Sequence, residues 1–160
     1  MSGSLVLPPS TDRETLYQAL LPQIFALVDG EQDLIANLAN TSAALHASFQ
    51  WLWVGFYLVK NDALVLGPFQ GPIACTRIPF GKGVCGTAWA ECTTLIVDDV
   101  NQFPGHIACS PDSRAEIVVP IIKDHACVGV LDIDSRINAD FSAIDRLALE
   151  TVTQRLAQCF

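Results

Sequence analysis

Thiols and carboxylates supply most of the chemistry open to this chain. Cys109 closes the stretch Gly105-His106-Ile107-Ala108-Cys109, Cys75 and Cys85 lie upstream, and Asp132 and Asp134 flank Ile133 downstream. A chain in a reducing cell has no structural reason to keep such thiols in polar, turn-rich surroundings, whereas redox chemistry on a small molecule gives it one. Cys109 sits between a Pro-Gly-His loop and Ser110-Pro111, where little regular structure is available to bury it. His106 is close enough in sequence to assist a thiolate, although a lone loop histidine is more often only a surface residue. Cys75 follows Gly71-Pro72-Ile73-Ala74 and is expected at a strand end near the same opening. One loop thiol with a second in reach is the minimum for a disulfide relay.

Cys85, in Gly83-Val84-Cys85-Gly86, falls where a helix should start, and the positive end of a helix favours a thiolate. The plainer alternative is a small apolar core residue. Cys92, Cys127 and Cys159 read as packing residues. A zinc site built from Cys75, Cys85, Cys109 and His106 is a weak reading, because no Cys-x-x-Cys pair is present.

Asp132 and Asp134 share one face of their strand, since side chains alternate with period two. Glu116, on the neighbouring strand, projects from that face if the two strands form a hairpin. Three carboxylates so close repel, which raises some of their pKa values and suits them to grip an ammonium group and supply a proton. A solvated sheet end is the bland alternative for any one of them. The apolar residues of the same parity, Val118, Val128 and Val130, favour a buried, functional trio. Trp51, Trp53 and Tyr57 also share parity. Trp51 is expected in the core, while Trp53 and Tyr57 are placed to wall a small pocket, the phenol supplying a hydrogen bond.

The elements that must position these groups follow from pattern. Thr11 and Glu14 have capping-box spacing and open a helix with Leu16, Leu20, Ile24 and Leu27 on one side. A second helix spans about 32–47, with Leu34, Leu38 and Leu45 inward. Strands are expected at 51–59 and 63–66, joined at Asn61-Asp62, then at 75–78, a short helix to Glu91, and a strand at 94–97. A long functional loop covers 98–114, strands follow at 116–122 and 127–133, and Ser142 with Asp145 caps a last helix carrying Ile144, Leu147, Val152 and Leu156 inside. Helices at both ends around consecutive short strands give an α+β fold, a central antiparallel sheet packed against N- and C-terminal helices.

A length of 160 residues fits one domain, with 1–10 as a flexible N-terminal segment. With 17 acidic against 9 basic residues and the bases scattered singly, nucleic acid and anionic membranes are poor partners. A charge-free run from Leu34 to Val59 raises the question of a membrane span, but its asparagines, serines, His46 and Gln50 would be expensive in lipid. Its periodicity also turns from helical to alternating near Ser48, which rejects a span. A hydrophobic content of 51% predicts further apolar burial between subunits, as in a homodimer. Six cysteines with no export signal point to reduced thiols in the cytoplasm.

Taken together, these segments resemble the free methionine-(R)-sulfoxide reductases, enzymes built on a GAF-type domain. The resemblance spans nearly the whole chain after its first ten or so residues. It is carried by Leu66-Gly67-Pro68-Phe69-Gln70-Gly71, Ala74-Cys75-Thr76-Arg77-Ile78-Pro79, Gly83-Val84-Cys85-Gly86-Thr87, Phe103-Pro104-Gly105-His106-Ile107-Ala108-Cys109, Ser113-Arg114-Ala115-Glu116-Ile117-Val118 and Gly129-Val130-Leu131-Asp132-Ile133-Asp134-Ser135. It implies Cys109 as catalytic cysteine, Cys75 as resolving cysteine and Cys85 as a third motif thiol. It also implies Glu116, Asp132 and Asp134 as acidic substrate-binding residues and Trp53 and Tyr57 as an aromatic wall. Lys82, where many relatives carry arginine, and Ser110-Pro111, where an acid often follows the cysteine, depart from the pattern. The implied reaction reduces free L-methionine (R)-sulfoxide through a sulfenic acid and an intramolecular disulfide that thioredoxin recycles, with no metal or organic cofactor. GAF-type domains also serve as ligand-binding sensor modules, and fold alone does not separate the two. Paired thiols and an acidic pocket, which would repel phosphate, favour the enzyme.

Overall fold

The computed structural model describes residues 3–160; Met1 and Ser2, part of the segment expected to be flexible, lie outside it. Helices α1 (Arg13–Asp29) and α2 (Leu34–Phe49) lead into a hairpin of β1 (Trp53–Lys60) and β2 (Ala63–Gln70). Strand β3 (Arg77–Pro79), helix α3 (Gly83–Glu91) and strand β4 (Leu95–Val97) follow. After a loop with one 3-10 turn come β5 (Ala115–Lys123), β6 (Ala126–Ser135) and α4 (Ala143–Leu156). All pairings are antiparallel, in the order β3-β2-β1-β6-β5-β4. The expected α+β architecture is the observed one.

Both faces of the sheet are covered, which is why β5 is buried from Ala115 to Ile121 without alternation. On one face Val54, Phe56, Ile117, Val119, Leu131 and Ile133 pack under α1, α2 and α4. On the other, Trp53, Tyr57, Val118 and Val130 meet Val84, Cys85 and Ala88 of α3. The change from helical to extended chain after Ser48 is real, since α2 ends at Phe49. Asp124 and His125 both have positive φ between the paired Lys123 and Ala126, the type I′ geometry whose twist suits a two-residue hairpin.

Several local expectations change. The first cap is Asp12, whose carboxylate accepts from the Thr15 backbone N–H, rather than a Thr11–Glu14 box. The inward stripe of α1 is Tyr17, Leu20, Ile24 and Val28, with Leu27 39% exposed. The Ser142–Asp145 box does form. However, Ile144 and Leu147 face outward, while Ala148 and Leu149 join the expected Val152 and Leu156 inside. Asp145 disguised that stripe because it occupies an inward position as a charge. It is held there by Arg13 at 2.8 Å and by the Tyr17 hydroxyl at 2.7 Å. Trp51 precedes β1 and packs in the helical core, stacked on Phe49, so it does not share the face of Trp53.

Candidate active site

The register of the three central strands builds the site. Trp53 lies opposite Asp134, and Asp134 lies opposite Glu116, so β1, β6 and β5 carry one row of side chains across the α3 face. The next row places Gly55 beside Asp132 and Asp132 beside Val118. Gly55 was missed in the sequence, although a glycine inside an apolar strand signals close approach. A Cβ there would lie 2.6 Å from the Trp53 ring and 2.3 Å from the Cβ of Phe69. Its bare backbone lets the indole lie flat, stacked on Phe69 at 5.2 Å and near Tyr57 at 5.8 Å.

Above these rows is a cavity of about 40 Å³ lined by Trp53, Tyr57, Cys85, His106, Cys109, Ser113, Glu116, Asp132 and Asp134. Cys75 lies just behind the wall, joined to Cys109 by a disulfide with the Cα atoms 5.7 Å apart. Cys109 is exposed and Cys75 half-buried, so the bond sits at the mouth and the carboxylates on the floor. All eight residues singled out from the sequence therefore meet at one place.

Glu116 and Asp132 are only 5% and 6% exposed, which makes their ionisation costly. Burial, then the neighbouring Asp132 and Asp134, pushes Glu116 well above the ordinary carboxylate range. Burial and Asp132 do the same to Asp134, against a lowering hydrogen bond of 2.6 Å from Ser113. Burial pushes Asp132 up to about 6, with hydrogen bonds from Glu116 and Cys85 opposing. Asp132 Oδ1 is buried and has no hydrogen-bond partner.

Cys85 stands in the first turn of α3, as expected, but is not the thiolate that this position suggests. It faces the acids from inside α3, its Sγ 3.9 Å from Glu116 Oε1, and burial together with Asp132 and Glu116 raises its pKa well above the thiol range. It is a neutral thiol here, not a thiolate. His106 does not pair with a thiol; its Nε2 lies 3.7 Å from Glu116 Oε2. Burial lowers the His106 pKa while Glu116 is raised, so both shifts disfavour an ion pair. The aromatic pair also has a task the sequence did not disclose. Tyr57 Oη donates to the Cys75 carbonyl at 2.9 Å and Trp53 Nε1 to the Pro72 carbonyl at 3.1 Å, so both clamp the segment that carries Cys75. Ser113, placed by the 98–114 loop, is a further unforeseen member; nothing in its local sequence distinguishes it from a loop serine.

The four-ligand zinc reading loses two of its donors, because Cys75 and Cys109 are bonded to each other. Among the described residues, no helix is long and apolar enough to cross a membrane.

Comparison with known proteins places this geometry in context. The GAF domain model matches residues 33–160. The chain is 55% identical over 145 residues to GAF domain-containing protein A of Dictyostelium discoideum, covering 90% of this chain and 92% of that protein. It is 45% identical over 146 residues to free methionine-R-sulfoxide reductase of Escherichia coli, covering 91% and 88%. A solved structure of free methionine-R-sulfoxide reductase from Neisseria meningitidis in complex with its substrate superposes with TM-score 0.94 at 52% identity, covering 98% and 96%. With identity this high over nearly full length on both sides, the chain belongs to the free methionine-R-sulfoxide reductase family of GAF-domain proteins.

Proposed function

We propose that this protein reduces free methionine (R)-sulfoxide to methionine by a thiol mechanism. The observation that carries the reading is a Cys75–Cys109 disulfide at the mouth of a cleft whose floor is three buried acids. In the reduced protein the Cys109 thiolate attacks the sulfoxide sulfur, and an acid on the floor protonates the oxygen. The S–O bond breaks, methionine leaves, and Cys109 holds the oxygen as a sulfenic acid. The Cys75 thiol then attacks Cys109 Sγ, water departs, and the disulfide forms. Two electrons from an external dithiol, thioredoxin in this reading, restore both thiols. The raised pKa values of Glu116 and Asp134 support the proton supply, because a carboxyl held above its ordinary range keeps its proton to higher pH.

The substrate's ammonium group complements the unpartnered Asp132 oxygen and the carboxyl row, while Trp53 and Tyr57 close the far wall. A peptide-bound sulfoxide has no ammonium to offer, and its continuing chain meets the covering loop. The test is NADPH consumption coupled through thioredoxin and its reductase. Turnover is expected with free methionine (R)-sulfoxide and not with its N-acetyl amide or the (S) epimer. Comparable kcat/KM for the free and blocked substrates would overturn the assignment.

A further inference from the structure

The floor of the cleft has a second property that the reductase reading does not use. One ligand atom each from Cys85, Glu116 and Asp132 lies within 4.8 Å of the others, and all three residues are buried. His106 stands at the edge of this group, with Nε2 3.7 Å from Glu116 Oε2. We propose that Cys85, Glu116 and Asp132 bind a zinc-class divalent cation, in competition with an ammonium group.

Geometry favours a small tetrahedral ion. Zinc bonds of about 2.3 Å to sulfur and about 2.0–2.2 Å to nitrogen and oxygen put neighbouring ligand atoms roughly 3.3–3.6 Å apart. The Cys85 Sγ to Glu116 Oε1 distance of 3.9 Å reaches that by a shift of a few tenths of an ångström, and the remaining separations, all within 4.8 Å, close by about an ångström. One sulfur and two carboxylates suit a borderline cation, whereas calcium and magnesium require more, harder oxygens. Beyond this spacing, Asp132 Oδ1 is buried without a hydrogen-bond partner, and Asp132 lines the cavity. A buried polar atom left in that state is costly, and a cation above it removes the cost. The cavity of about 40 Å³ exceeds the roughly 10–15 Å³ that one water needs, so it admits an ion.

The disulfide makes the proposal selective. With Cys75 and Cys109 bonded, Cys85 is the remaining thiol lining the cleft. The metal site stands on donor geometry alone; only the competition with an ammonium rests on the function proposed above.

The disulfide form should be titrated with cobalt(II), whose thiolate charge-transfer band reports sulfur ligation. One equivalent is expected to bind with that band. Cys85→Ser should lose the band, and Asp132→Asn should weaken binding about tenfold or more. Zinc should displace the cobalt. Absence of the band, or its survival in a folded Cys85→Ser variant, overturns the site, the second result assigning the metal to Cys92, Cys127 or Cys159. Added 3-(methylthio)propylammonium, which has no carboxylate to chelate cobalt, should raise the apparent Kd; an unchanged Kd overturns the competition. None of these readouts depends on sulfoxide turnover, so a failed reductase assay is distinguishable from a failed metal site.

Discussion

Cys109 and Cys75 differ in position as well as in proposed role, and single substitutions should separate them. In Cys109→Ser a hydroxyl replaces the nucleophile, and activity is expected to fall below roughly a thousandth of wild type in the coupled assay. Cys75→Ser should still release about one methionine per site without reductant, consistent with a single sulfenic acid, and then stop turning over with thioredoxin. Glu116 makes a prediction of the opposite kind, about stability. Its pKa is raised in the folded protein, so the folded state holds a proton that the unfolded chain releases earlier. That contribution is fully present below the ordinary carboxylate pKa and is lost as pH rises through the folded value. Glu116→Gln should therefore raise Tm at pH 8, by about 2–6 °C, with the gap closing toward pH 4, while kcat/KM falls. A gap that ignores pH would refute this account. The residue types and their gathering were legible in the sequence, because period-two spacing puts acids on one face. Their raised pKa values were legible too, from mutual repulsion; that burial is the larger cause was not, because it depends on how tightly α3 covers them. Cys85 shows this most clearly: a helix-start position argues for a thiolate, and burial against two acids overrides it.

At the level of elements, β1 carries more of the site than its side chains suggest. Gly55 lets Trp53 lie across the strand, and Trp53 and Tyr57 then hold the backbone of Pro72 and Cys75. Gly55→Ala should force the indole off Phe69 and cost about 1–3 kcal/mol in denaturant unfolding. It should also lower kcat/KM, as the Cys75 segment loses its anchor. Unchanged stability and kinetics would show that the strand accommodates the methyl group by a shift elsewhere. Element order and most boundaries could be read from turn residues and periodicity. The inward faces of α1 and α4 could not, because Tyr17 and Asp145 bury polar atoms that satisfy one another across two helices far apart in sequence. Such a pair is invisible to a pattern that counts only apolar positions.

Across the whole molecule, the Cys75–Cys109 bond closes a loop with a sequence separation of 34. In the chain-entropy model a loop of that size restricts the unfolded chain by roughly 4 kcal/mol. Reduction with dithiothreitol should lower Tm by about 8–15 °C, and Cys75→Ser should show a similar drop without reductant. Equal melting of the two redox forms would mean that the folded state gives back what the loop closure contributes. The sheet order carries a different consequence. Its central pair, β1 with β6, joins residues 53–58 to residues 129–134, so the middle of the sheet waits for two segments far apart in the chain to meet. Closing so long a loop is slow relative to the neighbouring hairpins. Trp53 meets Asp134, and Gly55 meets Asp132, only across that junction. A nascent or partly folded chain can hold its β1–β2 and β5–β6 hairpins and still have no cleft. Its thiols thus gain their carboxylate floor only once that junction has closed.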